Sequence, residues 1–340
     1  MPVLLRAAAL THYSEVARSL GLDPRRLLAD AGLSLNVLKE PDLRIPADRV
    51  GELLERSAEV SGCEAFGLRM AESRQLSNLG PVGMLVRDQP TLRESLAVLT
   101  RYQVVLNGAM ALVIEEAAGV VVIREELAFG RAGSVRQGVE LAIGVMLRLM
   151  RQFLGPQWRP RRVCFTHEAP RDLSVHLRVF GPCVEFRHDF NGIVCARQDL
   201  DTPNPSADPA MARYAQQLLD ATLHAQEAEQ STSLLDDVRH TALLLLPSGR
   251  CSIEQVADHL GMVCRTVQRR LSEEGTSFSE VVNKLRVELA HRHVEGSDRA
   301  LTEVAALLGF SAPSGFSRWY MAQFGCSPSQ ARSAARDRSH

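Results

Sequence analysis

The sequence predicts an α+β domain followed by an all-α domain, the second made of two helix-turn-helix units joined by a linker helix. Residues 1–200 mix amphipathic helical patterns with short runs of β-favouring residues. The segment 201–209, DTPNPSADP, contains three prolines and interrupts regular structure. From Leu234 to Ala335 the pattern predicts short helices only. We therefore expect two domains of different fold class.

Length and composition narrow the class of protein. With 340 residues the chain is long enough for two domains that each bury a core. Hydrophobic residues make up 45% and charged residues 23%, which is typical of chains that fold throughout. No apolar run approaches the ~20 residues that span a bilayer, and the first residues lack the uninterrupted apolar segment of a secretory signal. We expect a cytoplasmic protein that does not bind membranes.

The first domain, expected over 1–205, combines helices and strands. Apolar residues recur every third or fourth position in Thr91 to Leu106 and in Ser134 to Leu154, which predicts two long amphipathic helices. LVIEE and VVVIREEL flank an Ala-Ala-Gly turn and predict a hairpin, and RRVCF, CVEF and GIVCA predict further strands. The apolar faces of the two helices also suggest a dimerisation surface.

Residues 206–232 are expected to form a helical linker. Tyr214, Leu218, Leu219 and Leu223 have helical spacing, and the polar run EQSTS follows them. The second domain is then expected over 233–340.

An internal repeat occupies this second domain. IEQVADHLGM begins at Ile253 and LTEVAALLGF begins at Leu301, so Val, Ala, Leu and Gly recur with an offset of 48 residues. Each segment predicts a helix with one apolar side, ended by Gly261 or Gly309, because glycine accepts the left-handed conformation after a helix. A second short helix follows each one. We expect one helix-turn-helix unit at about 251–272 and another at about 300–322.

The second helix of each unit has one polar face. Val267 and Leu271 lie four residues apart and point inward, and Phe316 and Tyr320 take their places in the second unit. Arginine pairs with guanine, and glutamine with adenine, in the major groove of DNA. The outward residues are Arg265, Gln268 and Arg269 in the first unit and Ser314, Ser317 and Arg318 in the second.

Capping residues and a linker helix complete the second domain. Ser252, Ser277 and Ser327 each precede Glu or Gln at capping-box spacing. Ala300 stands where a capping residue would help the second unit, which leaves Asp298 or Thr302 as substitutes. The apolar pattern of Phe278 to Val294 predicts one helix of about 26 Å. This length is compatible with placing the two polar faces near the ~34 Å between successive major-groove turns.

Net charge does not reveal a polyanion partner. The chain has a formal charge of −1, and residues 231–340 hold 13 Arg and Lys against 12 Asp and Glu. The case for DNA rests on where the charges lie.

Metal and enzyme chemistry are the competing interpretations. Six candidate zinc ligands crowd into 32 residues, but only the first two have tight ligand spacing. Because β-favouring runs surround them, we favour buried thiols and ordinary imidazoles, with no metal and no other cofactor. Phosphate-loop, dinucleotide and zinc-protease motifs do not occur in the sequence, so we expect no enzyme. The six residues are Cys164, His167, His176, Cys183, His188 and Cys195.

The second domain resembles the AraC/XylS family of bacterial regulators. The resemblance is carried by CRTVQRRLSEEGTSFSEVVNKLRVELA and by LTEVAALLGFSAPSGFSRWYMAQFGCSPSQAR. It implies a transcription regulator that binds double-stranded DNA in a sequence-specific way. The DNA-contacting residues that it implies are Arg265, Thr266, Gln268, Arg269, Pro313, Ser314, Ser317 and Arg318.

The first domain resembles the arabinose-binding-like effector domain of one branch of that family. LGPVGMLVRDQPTLRESLAVLTRY and FNGIVCARQDLDTPNPSADP carry this resemblance. It implies a small-molecule effector. From the two-part layout of the chain we further expect a homodimer and contact with RNA polymerase, and we expect an activator. The alternative is a regulator whose first domain mediates only protein–protein contacts and has no small-molecule ligand.

Overall fold

The structure is a computed structural model. It describes residues 3–117, 119–127, 135–229, 234–246, 251–260, 262–295 and 300–337. The contacts divide the chain into two compact units, one of residues 1–130 and 134–228 and the other of residues 131–133 and 229–340.

The first unit is an α+β structure, as predicted. Short 3₁₀ helices lie at Ala7–Leu10, Leu35–Leu38 and Leu76–Leu79. Its strands are β1 Leu4–Arg6, β2 Arg44–Pro46, β3 Met110–Ala117, β4 Val120–Leu127, β5 Arg162–Cys164, β6 Val184–Glu185 and β7 Gly192–Ala196. Its helices are α1 Tyr13–Ser19, α2 Pro24–Asp30, α3 Ala47–Ser61, α4 Phe66–Ala71, α5 Pro81–Arg87, α6 Leu92–Arg101, α7 Gln103–Leu106, α8 Arg136–Leu154, α9 Ser174–Phe180, α10 Arg197–Leu200 and α11 Pro209–Glu229.

A five-stranded sheet has the order β3-β4-β7-β5-β6. β3 and β4 form the predicted hairpin, with Met110 opposite Leu127 and Ala117 opposite Val120. β7 pairs antiparallel with β4 and β5, whereas β6 pairs parallel with β5. The three other predicted strands correspond to β5, β6 and β7. β1 and β2 form a separate antiparallel pair.

The predicted helix over Thr91 to Leu106 is wrong in one respect. α6 ends at Arg101 and α7 begins at Gln103, with Tyr102 between them outside helical geometry. The Tyr102 ring is buried, and its hydroxyl donates a hydrogen bond of 2.7 Å to the Asp220 carboxylate on α11. This long-range contact accounts for the interruption. The second predicted helix corresponds to α8, although its expected first residue, Ser134, lies outside the described residues.

The apolar faces of α6 and α8 lie in the core of the first unit. Leu92 and Leu96 on α6 are buried, and so are Ile143, Leu147 and Met150 on α8. These faces are therefore not free to form a dimer, and the expectation of a dimerisation surface there is wrong.

The second unit is all-α, as predicted. Its helices are α12 Leu234–Leu245, α13 Ile253–His259, α14 Cys264–Glu273, α15 Phe278–Ala290, α16 Leu301–Leu307, α17 Pro313–Phe324 and α18 Pro328–Asp337. The linker helix is α15, and it continues as a π-helical turn over His291–Glu295. The predicted single α-helix to Val294 therefore changes type after Ala290. Arg332 donates hydrogen bonds to the carbonyls of His293 and Val294 in this turn.

Among the described residues, we find no helix with the length and apolar content needed to cross a bilayer.

Candidate DNA interface

α14 is the second helix of the first helix-turn-helix unit. Val267 and Leu271 are fully buried and share one apolar cluster with Val256 and Ala257 of α13. The inward residues have the predicted i, i+4 spacing, so the opposite side of α14 faces solvent. On that side Arg265, Gln268 and Arg269 are exposed, and Thr266 is half-buried beside them. Gly261, expected to end α13, lies outside the described residues.

An ion pair lies on the exposed face of α14. The Arg269 guanidinium is 3.0 Å from the Glu273 carboxylate one turn later, and both side chains are more than half exposed. Exposed ion pairs of this kind contribute only about 0–1 kcal/mol to the stability of the folded chain. Arg269 can therefore exchange Glu273 for a phosphate or a base at little cost.

α17 is the corresponding helix of the second unit. Phe316 and Tyr320 are 1% exposed and hold its inner side. Pro313 stands at the first helical position, where a missing N–H costs nothing. Its carbonyl accepts a hydrogen bond of 3.0 Å from the Ser317 hydroxyl. The exposed residues of this helix include Pro313, Ser314, Ser317 and Arg318.

The linker helix α15 holds α17 through polar contacts. The Trp319 indole N–H donates a 2.7 Å hydrogen bond to the Asn283 carboxamide oxygen. The Asn283 amide in turn donates to the Gln323 side chain at 3.2 Å. Trp319 also packs against Phe310, with ring centroids 5.4 Å apart. Trp319 is thus part of the structural core that positions α17.

Arg286 of α15 fixes the turn of the second unit. Its Nε donates a 2.9 Å hydrogen bond to the Leu308 carbonyl, at the end of α16. Its guanidinium also lies over the Phe310 ring, 4.5 Å from the centroid. Burial lowers the pKa of the Arg286 guanidinium. The patterns in the sequence did not point to Arg286, although its place four residues after Val282, on the apolar side of α15, is a signal that could have done so.

Two of the three predicted capping boxes are complete. Ser277 with Glu280 and Ser327 with Gln330 form reciprocal hydrogen bonds. Ser252 accepts the Gln255 N–H at 3.4 Å. The expectation of Thr302 as a substitute cap is wrong, because α16 begins at Leu301, its N-cap residue is Ala300, and no side-chain capping hydrogen bond is formed there. Asp298 lies outside the described residues.

The first unit contains a buried polar cluster. One carboxylate oxygen of Glu140 lies 3.1 Å from the Arg136 Nε, 3.3 Å from the His167 Nε2 and 3.1 Å from the His176 Nε2. Glu140 and His176 are fully buried. Burial lowers the pKa of His167, against the opposing effect of Glu140. The second Glu140 oxygen, the His176 Nδ1 and the Arg136 Nη2 have no hydrogen-bond partner among the described residues.

Two helix-turn-helix units with exposed polar faces define a DNA-binding protein of the kind that regulates transcription. Residues 21–204 match the family model described as the arabinose-binding domain of AraC transcription regulators, N-terminal. Residues 256–334 match a helix-turn-helix domain model. The chain belongs to the AraC family of transcriptional regulators.

Relatives along the whole chain support this assignment. The chain is 30% identical over 335 residues to the HTH-type transcriptional regulator VirS of Mycobacterium tuberculosis, covering 97% of this chain and 96% of VirS. It is 27% identical over 339 residues to the ornithine utilization regulator of Pseudomonas aeruginosa, covering 98% and 96%. Over 92 residues, 26% of this chain and 29% of the relative, it is 34% identical to the transcriptional activator RhrA of Rhizobium meliloti. These relatives are named as regulators rather than as enzymes.

Proposed function

We propose that the chain activates transcription from a promoter site that it reads with α14 and α17, under the control of a small-molecule effector. The observation that carries the DNA part is the recurrence of one arrangement: an inward apolar pair and an outward polar face on the second helix of each unit. We assign DNA contacts to Arg265, Thr266, Gln268, Arg269, Pro313, Ser314, Ser317 and Arg318.

Arginine substitutions on α14 test the DNA contacts. Arg265→Ala or Arg269→Ala is expected to weaken operator binding by about 1–3 kcal/mol and to relax base preference at one position. Binding is measured by footprinting and by titration against randomised operators. Arg270→Ala is the matched control, because Arg270 is exposed on the same helix about 100° from Arg269. If Arg270→Ala relaxes base preference equally, the contacts assigned to α14 are wrong.

The effector part of the proposal rests on the first unit. Its family model is named for an arabinose-binding domain. The buried cluster around Glu140 supports a polar ligand, because buried polar atoms without partners are normally satisfied by water, an ion or a ligand. The alternative is a first domain that mediates only protein contacts.

Thermal unfolding of the full chain separates these alternatives. A ligand that binds the native state raises the unfolding temperature, by an amount that grows with its concentration. The panel includes sugars and amino acids, with ornithine among them because of the name of one relative. A concentration-dependent increase with one compound supports the effector. A flat response across the panel favours the protein-contact alternative.

Activation, contact with RNA polymerase and dimerisation are also proposals. The name of one partial relative as a transcriptional activator supports the first. Transcription in vitro from the bound promoter, with and without the chain, measures activation. Sedimentation equilibrium at micromolar concentration measures the oligomeric state, and a strictly monomeric profile would count against the dimer.

A further inference from the structure

Three side chains that can bind a metal ion lie close together at one edge of the five-stranded sheet. Cys164 ends β5, Glu185 ends β6, and His188 follows three residues later. The Cys164 sulfur, a Glu185 carboxylate oxygen and a His188 imidazole nitrogen lie within 4.8 Å of one another. We propose that these three residues form a zinc-binding site.

The backbone brings the three side chains together. β5 and β6 pair in parallel with Cys164 beside Glu185, so the two side chains leave the same face of the sheet. Arg187 then has a φ of +57°, in the left-handed region that non-glycine residues rarely adopt. The next residue, His188, donates its backbone N–H to the carbonyl of Phe165, the residue that follows β5, at 2.9 Å. The strained turn therefore directs His188 back toward Cys164.

Neighbouring side chains make long contacts with the Glu185 carboxylate and pack against the His188 ring. The Glu185 carboxylate oxygen lies 3.9 Å from both the Arg162 guanidinium and the His188 Nε2, too far for a direct hydrogen bond. The His188 ring packs edge-on against Phe190, with centroids 4.6 Å apart. Phe190 therefore helps to position the imidazole, and the Glu185 carboxylate can turn toward an ion.

The donor set favours zinc over the common hard cations. Thiolate, imidazole and carboxylate bind zinc at about 2.0–2.3 Å, which separates donors in a tetrahedral site by roughly 3.3–3.7 Å. Binding would draw the present donors together by about an ångström. Calcium and magnesium prefer oxygen ligands alone, so the sulfur argues against them. Three protein donors leave one tetrahedral position for water or another ligand.

Exposure gives the ion a route into the site. The Cys164 side chain is buried, whereas the Glu185 and His188 side chains are 45% and 24% exposed. Zinc would reach the carboxylate and imidazole from solvent and meet the thiol at the inner end. Bound zinc would tie β6 and its following turn to β5, and so stabilise the first unit.

This site differs from the one that the sequence suggested as an alternative. The tight spacing was that of Cys164 and His167, but β5 ends at Cys164 and the chain bends before His167. His167 lies against Glu140 instead. Glu185 was absent from the sequence-based set, because its partner Cys164 is 21 positions away and only the β5–β6 pairing brings them together.

Cobalt binding to the full chain tests the proposal. The reduced, metal-stripped protein is titrated with Co²⁺, whose absorption bands report tetrahedral coordination and a bound thiolate. We expect one equivalent of Co²⁺ with a thiolate band that Zn²⁺ displaces. The band should be lost in Cys164→Ser and kept in Cys195→Ser, which removes a buried thiol from β7 of the same sheet.

Two further variants keep the proposal testable if Cys164→Ser does not fold. Glu185→Gln and His188→Ala change partly exposed side chains and should weaken Co²⁺ binding at least about tenfold. Absence of a thiolate band in the wild-type chain would overturn the proposal, and so would a band that persists in a folded Cys164→Ser variant. Unchanged affinity in both Glu185→Gln and His188→Ala would equally overturn it. Operator binding is measured in parallel, because the zinc site and the DNA contacts lie in different units and can fail independently.

Discussion

Glu125 is a carboxyl group buried inside the first unit. It lies on β4, on the same face as the buried Val121 and Ile123, and is 3% exposed. Its Oε2 has no hydrogen-bond partner within the part of the chain that the structure describes. Burial raises the pKa of Glu125 to about 8, because desolvation disfavours the charged form. Glu125 is therefore mainly a neutral acid in the folded chain at pH 7.

The raised pKa of Glu125 predicts how stability depends on pH. An unfolded glutamate titrates near its ordinary pKa of 4.5, so between that pH and about 8 the folded chain binds more protons than the unfolded one. The free energy of unfolding must then fall as pH rises through this window. Glu125→Gln removes the titrating group, and we expect it to raise the unfolding temperature at pH 8 clearly more than at pH 5.

Thermal unfolding from pH 5 to 9 measures this difference. The exposed Glu15→Gln is the control and should leave the pH dependence unchanged. The unfolding temperature of Glu125→Gln should still depend on pH to some extent, because burial also raises the pKa of Glu55 to about 7. Parallel pH profiles for wild type and Glu125→Gln would show that Glu125 is ionised in the folded chain.

Residues on exposed faces were easier to predict than residues that position them. The apolar pair Val267 and Leu271 determines which side of α14 faces outward, so the exposure of Arg269 follows from spacing alone. Arg286 did not follow, because a charged residue in a helix is normally expected in solvent. Its partner, the Leu308 carbonyl, becomes available only where α16 ends in the folded unit. Whether the exposed residues bind DNA stays a prediction.

At the scale of helices and turns, Gly309 ends one helix and also lets a second segment of the chain pack closely against it. Gly309 follows α16 with a φ of +71°, as its place in the sequence repeat predicted. A Cβ at this position would lie 2.9 Å from the backbone oxygen of Leu246, just beyond α12. Gly309 therefore meets two requirements, a left-handed backbone and close contact with another element.

Gly309→Ala is expected to destabilise the second unit by more than the backbone conformation alone explains. Gly325→Ala is the matched control, since Gly325 also has a φ of +71° after α17 but has open space around its Cβ position. The control should lose about 1–2 kcal/mol from left-handed strain, and Gly309→Ala should lose more because Leu246 must also move. Urea unfolding gives both values. Equal losses would mean that the Leu246 contact has no energetic effect.

The sequence pattern correctly predicted those helices and strands whose formation depends on residues close together in the chain. The β3–β4 hairpin follows from alternating residues around a short turn, and α8 follows from its apolar periodicity. The break at Tyr102 could not be predicted, because the hydroxyl partner Asp220 lies 118 positions away. The π-helical turn after α15 likewise depends on Arg332, which reaches its carbonyls only in the folded unit.

At the scale of the whole molecule, the linker helix α15 contacts elements on both sides of it in the second unit. Arg286 of α15 contacts the turn of the second helix-turn-helix, and Asn283 of α15 contacts its helix α17. Arg239 of α12 reaches the Glu288 carboxylate on the same linker at 2.5 Å. α15 is 13 residues long, about 20 Å. Because α15 is bound on both sides, the spacing of α14 and α17 is fixed by the fold.

A fixed spacing predicts a strict spacing in the operator. If α14 and α17 read successive major grooves, the two half-sites lie about one helical turn apart, near 10 base pairs. Inserting about 5 base pairs between them turns one groove to the opposite face of the duplex. Inserting about 10 restores the face but adds roughly 34 Å, which α15 cannot span. We expect both insertions to reduce affinity to that of one half-site, measured by titration and footprinting. Recovery of affinity with the longer insertion would show that the half-sites are read by separate, flexibly joined units, and α15 would then not set the spacing.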